Sequence, residues 1–252
     1  MALLEEFEKQ GRGLSKYGKA IPFTALILSY ALLIKGEIYP NSFYFQESSA
    51  EELYENLCLL FSFFGFAVYT YALGTSTALS GRKMKGRAAE SYHGTGLYSV
   101  VRHPKFIGMV IMWMGPALLT GFLWFEIAYW LFCWLYFERI MFAEEMHIRN
   151  QLSSNYRNIT EKIPAFIPNI LLFRKSQSFN WRKAVLKDNS QFTYVVLAFF
   201  IFDFCSEMID GKPQLNKLLS IVLIITFASN IALSIYKRLE KTSGMKKTGS
   251  QK

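Results

Sequence analysis

The chain has 252 residues, 52% hydrophobic and 17% aromatic, and 28 Lys and Arg against 19 Asp and Glu give a formal charge of +9. The apolar residues sit in blocks approaching the ~18–20 residues a helix needs to cross a hydrocarbon core, which argues against an ordinary soluble domain. The cations flank these blocks, a distribution that fits a membrane surface rather than nucleic acid.

The first twenty residues are charged and glycine-containing, with no cleavable signal peptide evident. Six spans are predicted, at about residues 20–34, 57–74, 106–119, 124–143, 192–209 and 218–236. The first and third are short, and Gly115-Pro116 interrupts the third. Spans three and four are separated only by the neighbourhood of Thr120-Gly121, which predicts a tight antiparallel hairpin. The fold class expected is therefore all-α, a polytopic transmembrane helical bundle. Its parts are an N-terminal segment with the first span (1–56), a core (57–172), a basic linker (173–191) and a C-terminal pair of spans with a tail (192–252). Cys58, Cys133 and Cys205 lie inside apolar blocks, without metal-ligand spacing or a disulfide framework, and read as small buried hydrophobes.

Cations set the orientation. Lys9, Arg12, Lys16 and Lys19 precede span one; Arg82, Lys83, Lys85, Arg87, Arg102 and Lys105 lie between spans two and three. Further basic runs follow spans four and six, whereas the opposite loops carry Glu37, Glu47, Glu51, Glu52 and Asp210. An even number of spans puts all four basic segments on one side, and the positive-inside rule makes that side cytoplasmic, both termini included.

Two polar clusters flank the hairpin at that side. Upstream stand Gly94, Gly96, Tyr98, Arg102, His103, Pro104 and Gly108. Pro104 suits the first turn of span three, where its missing N–H costs nothing. The exposed N–H groups of that turn, beside Arg102 and His103, offer a seat for a carboxylate or phosphate, and the glycines permit close approach of backbone to a ligand. Interfacial anchoring and an ordinary turn explain the same residues equally well. Downstream stand Glu138, Arg139, Glu144 and Glu145, near the end of span four, where carboxylates oppose the helix dipole. Glu145 has Arg149 four residues on as a local partner, and Arg139 can snorkel. Glu144 has Ile148 at that spacing, so its case for function is the better one.

In order, Gly96-Leu97-Tyr98, Arg102-His103-Pro104, Phe106, Gly108, Arg139-Ile140, Glu144-Glu145, Tyr156, Pro164 and Pro168 resemble the isoprenylcysteine carboxyl methyltransferase and phospholipid methyltransferase superfamily. The likeness covers about residues 94–169. Departures are Phe106 where Tyr is usual, Ser154-Asn155 for Phe-Gly, and Ile159 for a second Tyr. The resemblance implies an integral membrane enzyme with a cytoplasmic cofactor pocket, transferring a methyl group from S-adenosylmethionine to the polar head of a membrane lipid or lipid-linked substrate; Arg139 and the positive charge point to a carboxylate or phosphate as that head. It implies cofactor contacts from Tyr98, Arg102, His103, Pro104, Gly108, Glu145 and Tyr156, and substrate-side catalytic roles for Arg139 and Glu144. No metal and no nucleic acid are implied. Rival readings are an NADPH-dependent sterol or steroid reductase, a non-catalytic protein that keeps the fold, and a transporter hinted at by Asp203 and Glu207, for which an interfacial role is the simpler account.

Overall fold

The computed structural model describes residues 3–16, 24, 28, 31–32, 49–75, 95–151, 162–175, 179–187, 190–209 and 217–249. Among them the regular elements are helical: α1 (Leu3–Ser15), α2 (Ser49–Thr75), α3 (Leu97–Val100), α4 (Pro104–Leu118), α5 (Leu123–Gln151), a 3-10 turn (Ile170–Leu172), α6 (Trp181–Lys187), α7 (Ser190–Ile209) and α8 (Lys217–Gly249). Predicted spans two to six fall within α2, α4, α5, α7 and α8, whereas most of span one lies outside the described residues. Two stretches, Leu53–Thr75 and Lys217–Leu239, are long and apolar enough to cross a bilayer. Pro104–Leu118 and Gln191–Cys205 are shorter apolar helices. The chain divides into two compact units, Met1–Ala184 and Val185–Lys252.

In the first unit α4 lies closely on α2, and glycine makes that closeness possible. A Cβ on Gly108 would stand 2.6 Å from the backbone nitrogen of Tyr69, and one on Gly65 would strike the backbone of Met112. A side chain at Gly115 would collide with Ser62 Oγ and stand 2.7 Å from the carbonyl oxygen of Cys58. Small residues at such seams let apolar helices approach where no hydrophobic drive separates lipid from protein. Gly115-Pro116 does not interrupt α4, which continues to Leu118. Pro116 has no N–H for the carbonyl of Met112, four residues earlier. The Ser62 hydroxyl supplies the missing donor, at 2.9 Å from Met112 O. The Tyr54 hydroxyl likewise donates to Leu118 O at 2.6 Å, satisfying a carbonyl of the last turn.

Thr120 and Gly121 then turn the chain. Gly121 has φ 61°, in the left-handed region that favours glycine, and Thr120 Oγ1 donates to Ala117 O at 2.8 Å. Past this turn α5 packs on α4, with the Phe106 and Phe137 rings 5.4 Å apart. The opposite side of α5 receives α1. The Tyr136 hydroxyl donates to Leu14 O at 2.9 Å, and Phe7 meets Phe142 edge-on at 6.0 Å. A Cβ on Gly11 would collide with the Arg139 carbonyl oxygen and stand 2.7 Å from Ala143 Cβ. Cys58 and Cys133 are buried, as expected, and Cys205 is half-buried; all three are free thiols. In the second unit Asn230 on α8 donates to Thr193 Oγ1 on α7, a polar clasp between otherwise apolar helices.

Candidate functional site

The segment before α4 is held in place by a strap from beyond α5. Gly96 N–H donates to Arg174 O at 2.7 Å, Asn169 N–H to Val100 O at 3.0 Å, and Arg102 N–H to Pro164 O at 3.0 Å. The three pairs run antiparallel, so residues 96–102 and 164–174 brace each other as two short passes. Gly96 has φ 63°, and its carbonyl accepts from Ser99 Oγ at 2.7 Å; Ser99 Oγ in turn accepts from Arg174 N–H at 2.9 Å. Tyr98, inside α3, is buried.

This bracing fixes Arg102. Its Nε donates to Ile163 O at 2.8 Å, and its Nη1 donates to both carboxylate oxygens of Glu145, at 2.9 and 3.0 Å. His103 caps α4, with Pro104 at the first helical position and fully buried. The imidazole is 6% exposed, and its Nε2 lies 3.0 Å from Glu145 Oε1. A carboxylate oxygen only accepts, so the proton of this bond sits on Nε2. Nδ1 of the same ring faces Glu144 Oε2 at 3.9 Å. The return of α5 along α4 thus brings Arg102, His103, Glu144 and Glu145 into one ionic cluster.

The cluster resolves the cost of acidic residues late in a helix. Glu145 is compensated by Arg102, 43 positions away in sequence, a partner that i,i+4 spacing along one helix does not reveal. Glu144 differs: it is the more exposed of the two, its side chain 36% accessible against 29%, and its described polar contact is the long one to His103. Its oxygens are therefore available to a further donor.

Other sequence-predicted residues go elsewhere. Gly108 serves the contact with Tyr69 and Gly65 of α2, so the space a side chain would fill belongs to the protein rather than to a ligand. Arg139 is turned toward α1, its guanidinium carbon 3.5 Å over the Phe7 ring. At about 100° per residue, Arg139 and Ala143 share one face of α5, whereas Phe137, Glu144 and Glu145 share the face toward α4. The structure accordingly does not bring Arg139 to the cluster. Tyr156 lies outside the described residues, as does the side chain of Arg149. Sequence reasoning missed α1 and its contacts, and it missed the backbone strap that orients Arg102.

Residues 56–155 match the family described as phospholipid methyltransferase. A 73-residue alignment is 29% identical to Protein-S-isoprenylcysteine O-methyltransferase of Schizosaccharomyces pombe, over 29% of this chain and 31% of that protein. The chain thus matches about a third of the length of that curated relative. No solved structure matches the chain. The two matches support the superfamily to which the ordered motifs pointed, the isoprenylcysteine and phospholipid methyltransferases.

Proposed function

We propose that this protein is an integral membrane methyltransferase that crosses the bilayer six times and uses S-adenosylmethionine to methylate the polar head of a membrane lipid or lipid-linked substrate at the cytoplasmic face. The observation that carries the reading is the ionic cluster: the motif residues of both flanks, far apart in sequence, converge as Arg102, His103, Glu144 and Glu145. The family match across residues 56–155 takes in all four. The apolar helices and the one-sided basic segments support the membrane setting and its orientation.

The donor set fits the group. The cofactor offers an ammonium, ribose hydroxyls and a carboxylate, and the cluster offers carboxylate acceptors beside a fixed imidazole and guanidinium. In this reading Glu145, oriented by Arg102 and His103, is the carboxylate that turns to a hydroxyl or the ammonium of the cofactor. Tyr98 and Tyr156 supply aromatic surface for an adenine ring in this reading. When bound, S-adenosylmethionine supplies an electrophilic methyl on a sulfonium. The protein's part is to hold and orient, since an in-line displacement is accelerated chiefly by positioning. Arg102 fixes Glu145, His103 shares that carboxylate, and Glu144 accepts or directs a proton if the acceptor is an amine. An anionic head needs no base, and its dehydration at the bilayer boundary raises its reactivity toward a cation. Arg139 faces the other side of α5, away from the cluster, so this reading rests on the four clustered residues.

The test is calorimetric binding of S-adenosylmethionine to the full chain in nanodiscs. Wild type binds, and Glu145→Gln and His103→Ala each weaken binding by about tenfold or more, as loss of a charge-assisted contact implies. Absence of binding by well-folded wild type, or binding of NADPH in its place, removes the proposal.

A further inference from the structure

The side of α5 turned away from the ionic cluster carries a second charge. Arg139 is half-buried, and the face of its guanidinium rests on Phe7 of α1 at 3.5 Å. Among the described residues no hydrogen bond or ion pair engages its N–H groups; its described contact is the Phe7 ring. A guanidinium stacked on a ring has one face covered and its plane fixed, while the planar edge of N–H donors stays open. That edge matches the two-oxygen fork of a phosphate or carboxylate.

What lies beneath Arg139 decides between a soluble anion and a lipid. Leu135 and Phe132 precede it by four and seven residues, so they form one stripe with it along α5. Both are exposed, 56% and 47%, though apolar. A cation topping an exposed apolar stripe has the form of an amphiphile's complement. The last turns of α5, where Arg139 sits about 9 Å short of Glu145 along the helix, lie near the polar boundary of the bilayer in the orientation proposed above. A zwitterionic or neutral lipid there leaves a partly desolvated cation without net counter-charge.

We propose that the seam between α1 and α5 is a seat for an anionic phospholipid, its phosphate on the open edge of Arg139 and an acyl chain along Leu135 and Phe132. Phe7 is the positioning residue: it holds the guanidinium plane before the lipid arrives, and Gly11 lets α1 lie close enough to do so. The seat is distinct from the cluster of His103 and Glu145, and its test needs no methyl transfer.

The experiment is retention of lipid by the full chain, extracted from bilayers of phosphatidylcholine with a minority of phosphatidylglycerol and weighed by native mass spectrometry. Wild type retains phosphatidylglycerol over phosphatidylcholine severalfold: both offer a phosphate to the guanidinium, but in phosphatidylcholine the choline cation cancels its charge, so only the first supplies net counter-charge. Arg139→Met abolishes the preference. Phe7→Leu, which keeps apolar bulk but removes the ring, cuts it severalfold, and Phe7→Trp restores it. Replacing both Leu135 and Phe132 by serine lowers retention while Arg139 stays. Equal retention by wild type and Arg139→Met overturns the seat. Retention that inorganic phosphate displaces and the double serine variant leaves unchanged overturns the lipid assignment. Thermal melting of each variant shows whether the fold is intact. If Phe7→Leu melts early, Phe7→Trp decides the matter: a preference lost in that variant at unchanged melting temperature overturns the positioning role of the ring.

Discussion

Replacing Arg102 by Met tests whether the ionic cluster is one mechanical unit. The side chain donates once to Ile163 O and twice to Glu145, so the substitution removes three charge-assisted hydrogen bonds and takes the Arg102 guanidinium away from the Glu145 carboxylate. Breaking a fully buried pair by deleting one partner costs about 3–5 kcal/mol. Here the two side chains are 23% and 29% exposed, so water recovers part of that loss. About 2–3 kcal/mol is the expected destabilisation, the buried-pair cost reduced for the partial solvation of both side chains. For a chain of this size that lowers the melting temperature by roughly 5–10 °C. Arg102→Lys keeps the charge but cannot reach Ile163 O and both oxygens together, so it recovers about half or less of the loss. The decisive assay is a double-mutant cycle with Glu145→Gln, read both as melting temperature and as S-adenosylmethionine affinity in nanodiscs. A coupling of about 1–3 kcal/mol in stability is expected. Additive effects, within about 0.3 kcal/mol, would refute the claim that Arg102 acts through Glu145.

Two predictions concern the packing beneath the site. Ser62→Ala leaves Met112 O without its donor opposite Pro116 and destabilises by about 1–3 kcal/mol. Pro116→Ala in that background restores an N–H to Met112 O, so the double variant melts above the single one; failure of this rescue breaks the explanation. Gly108→Ala drives a Cβ to 2.6 Å from Tyr69 N and 2.8 Å from its Cα, both backbone atoms, and costs about 1–3 kcal/mol of overpacking. If Gly108 serves α2 rather than a ligand, the residual folded Gly108→Ala protein keeps its cofactor affinity, whereas a selective loss of affinity at unchanged melting temperature reverses that assignment.

Much of the fold was legible because bilayer physics writes itself into composition. Blocks of apolar residues located α2, α4, α5, α7 and α8, and the Gly and Thr between two blocks located the turn at Thr120-Gly121. Pro104 marked the first turn of α4 for a local reason, its absent N–H. The N-terminal α1 escaped notice because its apolar positions, Leu3, Leu4, Phe7 and Leu14, are interleaved with Glu5, Glu6, Glu8, Lys9 and Arg12. Their helical spacing, with Gly11 on the same side, was the available signal. Pro116 gave the opposite error. A proline reads as an interruption by local rules, yet a hydroxyl from another helix supplied the bond it removed.

The sequence by itself determined which residues are polar at the ends of apolar helices, and so which ones are candidates for chemistry. Only the tertiary structure decided their partners. Glu145 belongs to Arg102 and His103, not to a neighbour on its own helix alone, because the turn of the chain and the strap at residues 164–174 set the pairing. Backbone hydrogen bonds of that kind join any residue types, so they leave no mark in the sequence. The helical repeat separates Arg139 from Glu145 onto different faces of α5, but which neighbour each face meets is fixed by packing. Gly11 and Phe7 turn one face to α1, and His103 and Phe106 turn the other to α4.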